Sequence, residues 1–479
     1  MSREGSLVKN TLVLSIGTVF PKLASFVVLP ILTGCLTKSE YGTYDLITVL
    51  CSLFLPAVTL QIQTAAFRFL IEKKDDSVSK KKIISNILLF LVPVSLVALI
   101  ILVLLLYEYS FATRSLICMY FFFDLFFGVC GQIARGLQNN KVYAEASIVS
   151  SLSNLVFVVV FVYMLRWGLN GTLICMCVSM LTPTVVMIIQ LRMWQYIDVR
   201  LFDKKVLKEL LNYSWPMVPN SMSMWVMNAS DRLVISAFLG IEANAIYAVA
   251  KKIPNIVTIA QSTFTMAWQE SASLASEDKD SEEYYSKMYD TVFSMMAGIM
   301  AFITACMPLL FKILIRGDYD EAYYQMPILI MGMFFFSIAS YLGGVYVAKK
   351  ETKSVGFTTL IAATINLVTN LMMVKFIGVY AASISTLLSY IFLAFYRMYN
   401  IQKFTKIRYK MSKIIAVIAV LIAISACSYI RNIYMYAFEF AFAVIVMILL
   451  NKSIIEAMWK VMISKLRKKL VKENRDEYS

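Results

Sequence analysis

Long apolar blocks alternate with short polar segments from one end of the sequence to the other. The blocks contain about 18–25 residues, the length that a helix needs to cross the hydrocarbon core of a membrane. The pattern therefore predicts an all-α, polytopic membrane protein with about 14 transmembrane helices. We place these helices at residues 10–34, 44–69, 83–107, 114–137, 144–166, 170–192, 214–239, 245–269, 289–315, 323–348, 355–376, 379–400, 411–430 and 433–450.

The positions of lysine and arginine give this layout an orientation. With the N-terminus in the cytoplasm, 33 of the 45 basic residues fall in cytoplasmic segments and six fall in outside loops. Basic residues concentrate on the cytoplasmic side of membrane proteins. We therefore expect a multi-pass protein of the cell (inner, cytoplasmic) membrane with both termini in the cytoplasm. The same distribution accounts for the net charge of +15 without a nucleic-acid partner.

Three polar segments complete this layout. The start of the chain, MSREGSLVKN, leads into an apolar block that has no small-residue cleavage site, so the first helix is expected to stay in the protein. The loop at 194–213 and the tail at 451–479 are basic and amphipathic, which is typical of segments on a membrane surface. The tail is expected to rest on anionic membrane lipids.

The two halves of the sequence resemble each other. TGCLTKSEYGTYDL at 33–46 aligns with SAFLGIEANAIYAV at 236–249, and WGLNGTLICMCVS at 167–179 aligns with IGVYAASISTLLS at 377–389. Each half has six helices, so both halves have the same orientation, as in transporters built from parallel repeats. The predicted parts are a six-helix lobe at 1–193, a cytoplasmic linker at 194–213, a second six-helix lobe at 214–400, helices 13 and 14 at 401–450, and a basic cytoplasmic tail at 451–479.

Basic residues inside the predicted helices are the first candidates for function, because a charge in the hydrocarbon region is costly. Such an excess of cations suits an anionic cargo, for example a pyrophosphate. Arg68, near the inner end of helix 2, would serve equally well as an interface anchor, and Lys251 and Lys252 point about 100° apart, so we expect only one of them to face a cavity. The predicted cavity cations are Lys22, Arg68, Arg232, Lys251 and Lys252.

Acidic residues and prolines complete the candidate set. The acidic residues are candidates for ion coupling or for pairing, Asp231 with Arg232, and Asp45 or Asp124 with a lysine. The prolines are expected to bend helices 1 and 7 and to aim backbone dipoles into the cavity. These acidic residues are Asp45, Asp124 and Asp231, and the prolines are Pro21, Pro30, Pro216 and Pro219.

Other kinds of site have little support. All eight cysteines lie in or beside apolar blocks, which favours core packing over a metal site or a disulfide framework. The chain has no histidine, so it lacks the commonest metal ligand and proton relay. We predict no catalytic residue, no bound metal and no cofactor.

The segment SLVKNTLVLSIGTVFPKLASFVVLPILTGCLTKSEYGTYDLITVL resembles the opening of the Wzx-type flippases of O-antigen, capsule or teichoic acid polysaccharides. These flippases belong to the multidrug/oligosaccharidyl-lipid/polysaccharide exporter superfamily. EYGTYDL, IEANAIYAVAKKI and the glycine-led starts of helices 6 and 12 extend the resemblance through helix 12. The chain differs from many Wzx-type members in having helices 13 and 14, as the lipid II flippase has.

The resemblance implies two six-helix lobes in a V, alternating access, and a polyprenyl-pyrophosphate-linked oligosaccharide, with undecaprenol as the lipid, as the cargo. It also implies that basic residues of helices 1, 2 and 8 line the cavity, which here are Lys22, Arg68 and Lys251 or Lys252. The leading hypothesis is thus a flippase, not an enzyme, that carries its cargo to the outer leaflet for cell-surface polysaccharide synthesis.

Two other functions stay open at this point. The first is a cation-coupled multidrug exporter of the same fold, driven by H+ or Na+, which would use carboxylates such as Asp45 and Asp124. The second is a membrane polysaccharide polymerase or ligase. An enzyme of that kind needs a catalytic surface outside the membrane, and the short predicted outside loops count against it.

Overall fold

The fold is helical throughout the part of the chain that the computed structural model describes, which is residues 3–73, 76–452 and 456. Ten helices are long and apolar enough to cross a membrane, and three shorter apolar helical segments accompany them. The predicted all-α fold of a multi-pass membrane protein is therefore confirmed. The helices are α1 (Arg3–Cys35), α2 (Lys38–Thr59), α3 (Ile62–Glu72), α4 (Ser77–Leu105), α5 (Phe111–Gly136), α6 (Asn140–Phe157, continued as a π-helix to Met164), α7 (Gly168–Gln190), α8 (Lys204–Ser214), α9 (Met217–Leu239), α10 (Ile241–Ala250), α11 (Asn255–Leu274), α12 (Ser281–Leu314), α13 (Asp320–Ala348), α14 (Thr352–Ile377), α15 (Tyr380–Asn400), α16 (Met411–Cys427) and α17 (Ile433–Lys452).

The second predicted helix is interrupted, which corrects the continuous span at 44–69. Leu60 and Gln61 adopt left-handed backbone angles, with φ of 47° and 56°, and separate α2 from α3. Such angles cost about 1–2 kcal/mol per residue for an L-amino acid. Polar contacts hold the break, because the Gln61 side chain donates to the Ser221 hydroxyl at 3.0 Å and the Thr64 hydroxyl donates to the Gln61 carbonyl at 2.8 Å.

The eighth predicted helix is also interrupted, which corrects the continuous span at 245–269. α10 ends at Ala250, residues 251–254 form a turn, and α11 begins at Asn255. Pro254 explains the break, since proline has no N–H to donate and its ring clashes with the carbonyl four residues earlier.

The helices form two compact units. The first contains the described residues up to Val249 together with Ile313–Tyr319 and Met373–Val379. The second contains Ala250–Lys312, Asp320–Met372 and the described residues from Tyr380 onward. The predicted division into six-helix lobes stays a prediction, and most of the predicted tail at 451–479 lies outside the described residues.

In the first unit, α1 packs against α6, and α7 packs against both α5 and α6. A Cβ atom added to Gly17 would lie 2.9 Å from the Ala144 Cα, so only glycine permits this approach of α1 to α6. An apolar core lies between α2, α3, α4, α5 and α7, and includes the fully buried Ile62, Leu70 and Ile84.

The predicted linker is bound to the start of α4. The buried Asn86 side chain donates to the Leu201 carbonyl at 3.0 Å and accepts from the Asp203 N–H at 2.9 Å. Ser85 contacts the linker in the same way, through the Tyr196 carbonyl and the Asp198 N–H. Lys82 pairs with Asp203 at 2.7 Å. The hydrogen bond from Lys82 and, to a smaller extent, the one from the Lys205 N–H hold the pKa of Asp203 below its usual value. The carboxylate loses these bonds when it is protonated, so the attachment weakens as the pH falls through this lowered pKa.

The second unit is organised around α13, which packs against α11, α15 and α16. Arg397 of α15 is almost fully buried beside α13 and α14. Its guanidinium donates to the Ala339 and Val355 carbonyls and to the hydroxyls of Thr358 and Thr359, at 2.7–3.2 Å. Arg397 therefore joins three helices through uncharged acceptors.

Candidate functional site

An ion pair joins α2 to α9 in the first unit. The Arg232 Nε lies 3.3 Å from the Asp45 Oδ2, and the two side chains are 17% and 5% exposed. The capping box at the start of α2 positions Asp45, since Thr37 accepts from the Glu40 N–H and Glu40 accepts from the Thr37 N–H. The pairing differs from the sequence prediction, in which Arg232 pairs with Asp231 and Asp45 with a lysine.

The repeated segments of the two halves meet beside this ion pair. The Asn244 side chain of α10 donates to the Gly42 carbonyl at 3.1 Å and lies 3.5 Å from Asp45 Oδ2. A Cβ atom on Gly42 would collide with the Ile241 carbonyl, so only glycine permits this contact between α2 and α10. Asp45 is thus buried between a guanidinium and an amide, which together offset the cost of removing its charge from water.

A polar cavity of about 390 Å³ opens between α2 and α9, next to Arg232. The Trp225 indole N–H crosses it to the Val49 carbonyl at 3.0 Å and the Ser52 hydroxyl at 3.1 Å. Among its described lining residues, four neutral side chains that can hydrogen-bond accompany one cation. The lining residues are Thr48, Val49, Ser52, Ser221, Trp225, Ala229 and Arg232.

An apolar crevice of about 420 Å³ lies between α2, α4 and α5, and every one of its lining residues is hydrophobic. Phe54 and Val58 of α2, Phe90 and Ile101 of α4, and Phe121 of α5 are among them. The α2 residues of this crevice begin two positions after Ser52, which lines the polar cavity. α2 therefore contributes to a polar cavity with one stretch of residues and to an apolar crevice with the next.

The other predicted cavity cations are not gathered at Arg232. Lys22 is exposed on α1, and within the described residues no carboxylate lies at ion-pair distance from it. Arg68 pairs with Glu72 at 2.7 Å, one turn along α3, with both side chains about half exposed. Lys251 and Lys252 are half-buried in the turn between α10 and α11, not inside a helix as predicted.

The remaining acidic candidates have separate neighbours. Asp231 is buried and accepts from the Tyr247 hydroxyl at 2.7 Å. Asp124 is half-buried on α5, close to Tyr120 and Cys51. Each acid is thus held by a different pair of elements.

The four prolines differ in position. Pro21 and Pro30 lie inside α1, as predicted. Pro216 directly precedes α9 and Pro219 is its third residue, so they begin that helix and do not bend it, which corrects the prediction for helix 7. Proline is tolerated in a first turn because the N–H groups there have no partner within the helix.

Several structurally prominent residues have no counterpart in the sequence prediction. Only the indole N–H of Trp225, a polar group in an apolar helix, could have identified this residue from the sequence. Arg397 was counted among the cytoplasmic loop cations because it lies at a helix end. Glu439, the sole acidic residue of α17, could have been found as an intramembrane charge by the rule that identified Asp124.

The fold is similar to those of solved membrane transport proteins. The lipid II flippase MurJ, in an inward closed conformation, matches with a TM-score of 0.65 at 15% identity, covering 93% of this chain and 99% of that one. A multidrug resistance MATE family transporter of the MOP superfamily, in an inward-facing conformation, also matches with a TM-score of 0.65 at 15% identity, covering 82% and 98%. A multidrug resistance MATE family transporter in an outward-facing conformation matches with a TM-score of 0.53 at 16% identity, covering 83% and 95%. No curated protein matches the sequence.

These similarities define the class of protein as a membrane protein with the fold of the MOP superfamily transporters. The sequence matches the family described as polysaccharide biosynthesis protein over residues 7–270, which is more than half of the chain. The chain belongs to this family, and the resemblance found in the sequence is confirmed.

Proposed function

We propose that the protein is a flippase that moves an undecaprenyl-pyrophosphate-linked oligosaccharide from the cytoplasmic to the outer leaflet by alternating access. One observation carries this proposal: α2 and α9 line a polar cavity that contains Arg232, which suits the charged, hydrogen-bonding head of such a cargo. The apolar crevice lies on the opposite face of α2 and does not continue this cavity. Membership of the polysaccharide biosynthesis protein family supports the same cargo.

In this proposal the cations have unequal roles. Asp45 balances much of the charge of Arg232, so Arg232 orients polar groups of the cargo more than it neutralises them. Lys22 is exposed and has no carboxylate at ion-pair distance within the described residues, so it is the strongest candidate for the pyrophosphate. Arg68 and either Lys251 or Lys252 are kept as further cargo cations on the strength of the sequence resemblance. Lysines bind phosphate as point charges and not in a bidentate fork.

The direction of movement follows from the proposed orientation. With both termini in the cytoplasm of a cell whose inner membrane is negative inside, an anion moving outward gains about 2.3 kcal/mol per charge per 100 mV. The connections on the proposed outer face contain five residues or fewer, as in 106–110, 315–319 and 428–432. This leaves little surface for a polymerase or ligase site and supports transport without catalysis.

The test is export by a Lys22→Ala variant in a strain that lacks the chromosomal copy. Loss of the cation is expected to abolish surface polysaccharide while the amount of protein in the membrane stays unchanged, and Lys22→Arg is expected to keep export. Lys141→Ala is the matched control, since Lys141 lies in the first turn of α6 and its side chain is 80% exposed. Full export by Lys22→Ala would contradict the assignment of Lys22 to the cargo site.

A cation-coupled drug exporter is the second candidate, because the MATE transporter is similar in fold. Asp45 is a weak coupling group for such an exporter, since it is already paired with Arg232. An exporter of this kind would change the susceptibility of the knockout strain to cationic drugs and leave its polysaccharide intact.

A further inference from the structure

Glu439 is a buried acid in the membrane-spanning helix α17 that the proposed transport site does not use. It is 1% exposed, whereas its neighbours Phe438 and Phe440 are 59% and 45% exposed. The phenylalanines therefore face outward and the carboxyl group faces the protein. Glu439 lies six residues after Ile433, the first residue of α17, which is about 9 Å along the helix.

Neither carboxylate oxygen of Glu439 has a hydrogen-bond partner among the described residues. The nearby hydroxyl of Tyr323 is occupied, since it donates to the Ser428 carbonyl at 3.0 Å. The nearby cation is also engaged, since Arg431 pairs with Asp320 at 3.0 Å and its guanidinium lies 5.0 Å from the centre of the Tyr323 ring. The groups that could stabilise a negative charge at Glu439 thus serve other partners.

An ionised carboxylate without a partner is too costly to bury in an apolar interior, so such a group takes up a proton instead. Glu439 lacks a hydrogen-bond partner among the described residues and lies in an apolar interior, because protein covers it and α17 is otherwise apolar up to Asn451 and Lys452. A single carboxyl group is a poor site for a metal ion, and the described residues contain no cluster of three or more metal-ligating acids, cysteines or histidines.

We propose that Glu439 is a proton-binding site, loaded in this conformation, where α17 packs beside α13. The proton is released when the carboxylate gains water or a cation, and a transport cycle that exposes Glu439 would couple export to proton movement. The coupling of export to proton movement rests on the proposed flippase function, whereas the proton-binding site does not.

Several other groups near the site titrate or carry charge, and their contributions must be separated from that of Glu439. α17 packs against α12 through Phe440 and Phe302, whose ring centres are 5.8 Å apart, and against α16 through Val446 and Leu421. The titratable and charged groups of these elements and of α13 on this half of the unit are Tyr323, Tyr324, Asp320 and Glu321 of α13, Cys306 and Lys312 of α12, Cys427 of α16, Tyr429 and Arg431 of the connecting loop, and Tyr434 and Tyr436 of α17. The carboxylic acids among them are Asp320, which is paired with Arg431, and Glu321, which is exposed.

The first experiment measures the thermal stability of the purified full-length protein from about pH 5 to about pH 9. This range begins above the pKa of a glutamate in the unfolded chain. Between the pH at which the unfolded chain loses this proton and the pH at which the folded protein loses it, stability falls as the pH rises, by up to about tenfold in the ratio of folded to unfolded protein per pH unit. Above that window the slope from Glu439 levels off. Glu439→Gln is expected to remove this part of the slope. Glu321→Gln, which changes an exposed glutamate at the start of α13, is expected to keep it.

A second variant keeps this experiment decisive if Glu439→Gln does not fold. Glu439→Met replaces the neutral acid by an apolar side chain of similar volume and is expected to fold with the same reduced slope. A wild-type slope in either variant would overturn the proton site. Failure of both neutral variants to fold would also overturn it, because it would mean that the structure requires the ionised form.

The coupling half of the proposal is tested by export at external pH 6 and pH 8, values chosen about one unit to either side of neutrality. Wild-type export is expected to change with external pH, and Glu439→Gln, which cannot release a proton, is expected to lose export. If the wild type restores no polysaccharide to the knockout, the flippase function itself is wrong. If the wild type does restore it and Glu439→Gln exports with the same pH profile, the coupling is wrong and the flippase function stands.

Discussion

Arg397 combines a position typical of a loop cation with the contacts of a core residue. It lies near the end of α15, where a basic residue ordinarily faces water, yet it is 4% exposed and donates four hydrogen bonds to α13 and α14. Its planar guanidinium presents several donors in fixed directions, so one side chain can reach acceptors on two neighbouring helices.

Replacement of this residue by lysine should therefore be costly. Arg397→Lys keeps the charge but cannot satisfy four separated acceptors, and hydrogen bonds to a charged group contribute about 1.5–3 kcal/mol each. We expect a loss of stability of at least about 3 kcal/mol, measured as a lower Tm of the purified protein. Arg408→Lys, at an exposed arginine of the following loop, is the control. An unchanged Tm in Arg397→Lys would contradict this role.

Charged residues inside apolar helices are easier to find in a sequence than their partners. Asp45 and Asp231 are buried and Arg232 is mostly buried, but Asp231 accepts a hydrogen bond from Tyr247 and Arg232 pairs with Asp45, whereas the sequence predicted an Asp231–Arg232 pair. Neighbours in a helix sequence point about 100° apart, so adjacent charges seldom face each other. Pairing depends on which helices pack together, and helix packing cannot be deduced from one sequence by composition and period.

At the scale of elements, hydropathy correctly predicted an all-helical, multi-pass membrane protein, because an apolar block that crosses a membrane must satisfy its backbone within a helix. It did not locate the break after α2, where Leu60 and Gln61 are neither glycine nor proline. It also did not predict that residues 196–203 attach to α4, because the basic, amphipathic composition of the linker favours a membrane surface. The polar atoms that hold it, on Ser85 and Asn86, lie in the first turns of an apolar helix.

The linker attachment depends strongly on Asn86. Asn86→Ala removes the partners of the Leu201 carbonyl and the Asp203 N–H, and a buried polar group without a partner costs about 1–3 kcal/mol. The variant is expected to lower the Tm and to make the linker more sensitive to protease. Asn139→Ala is the control, because Asn139 is exposed and its side chain makes no capping bond to α6. Equal effects of the two substitutions would contradict a specific attachment.

At the scale of the whole molecule, two segments that are similar in sequence lie in contact in the structure. The segments 33–46 and 236–249 were aligned by sequence, and Gly42 and Asn244, one from each segment, are hydrogen-bonded. The first unit also contains residues from late in the sequence. The Arg316 N–H donates to the Thr33 hydroxyl at 3.0 Å, and Lys38 pairs with Asp318 at 2.8 Å. The order of helices along the sequence does not predict that residues 313–319 belong to the first unit.

The attachment of the linker to α4 has a consequence for biosynthesis. The chain emerges from the ribosome N-terminus first, so residues 196–203 become available only after α1 to α7 have been made. Binding to Ser85 and Asn86 can then fasten the end of α7 to the start of α4 before the helices of the second unit are complete. The protein can thus secure its first group of helices while the rest of the chain is still being translated, and a mutation at Asn86 would reduce the yield of correctly inserted protein as well as its stability.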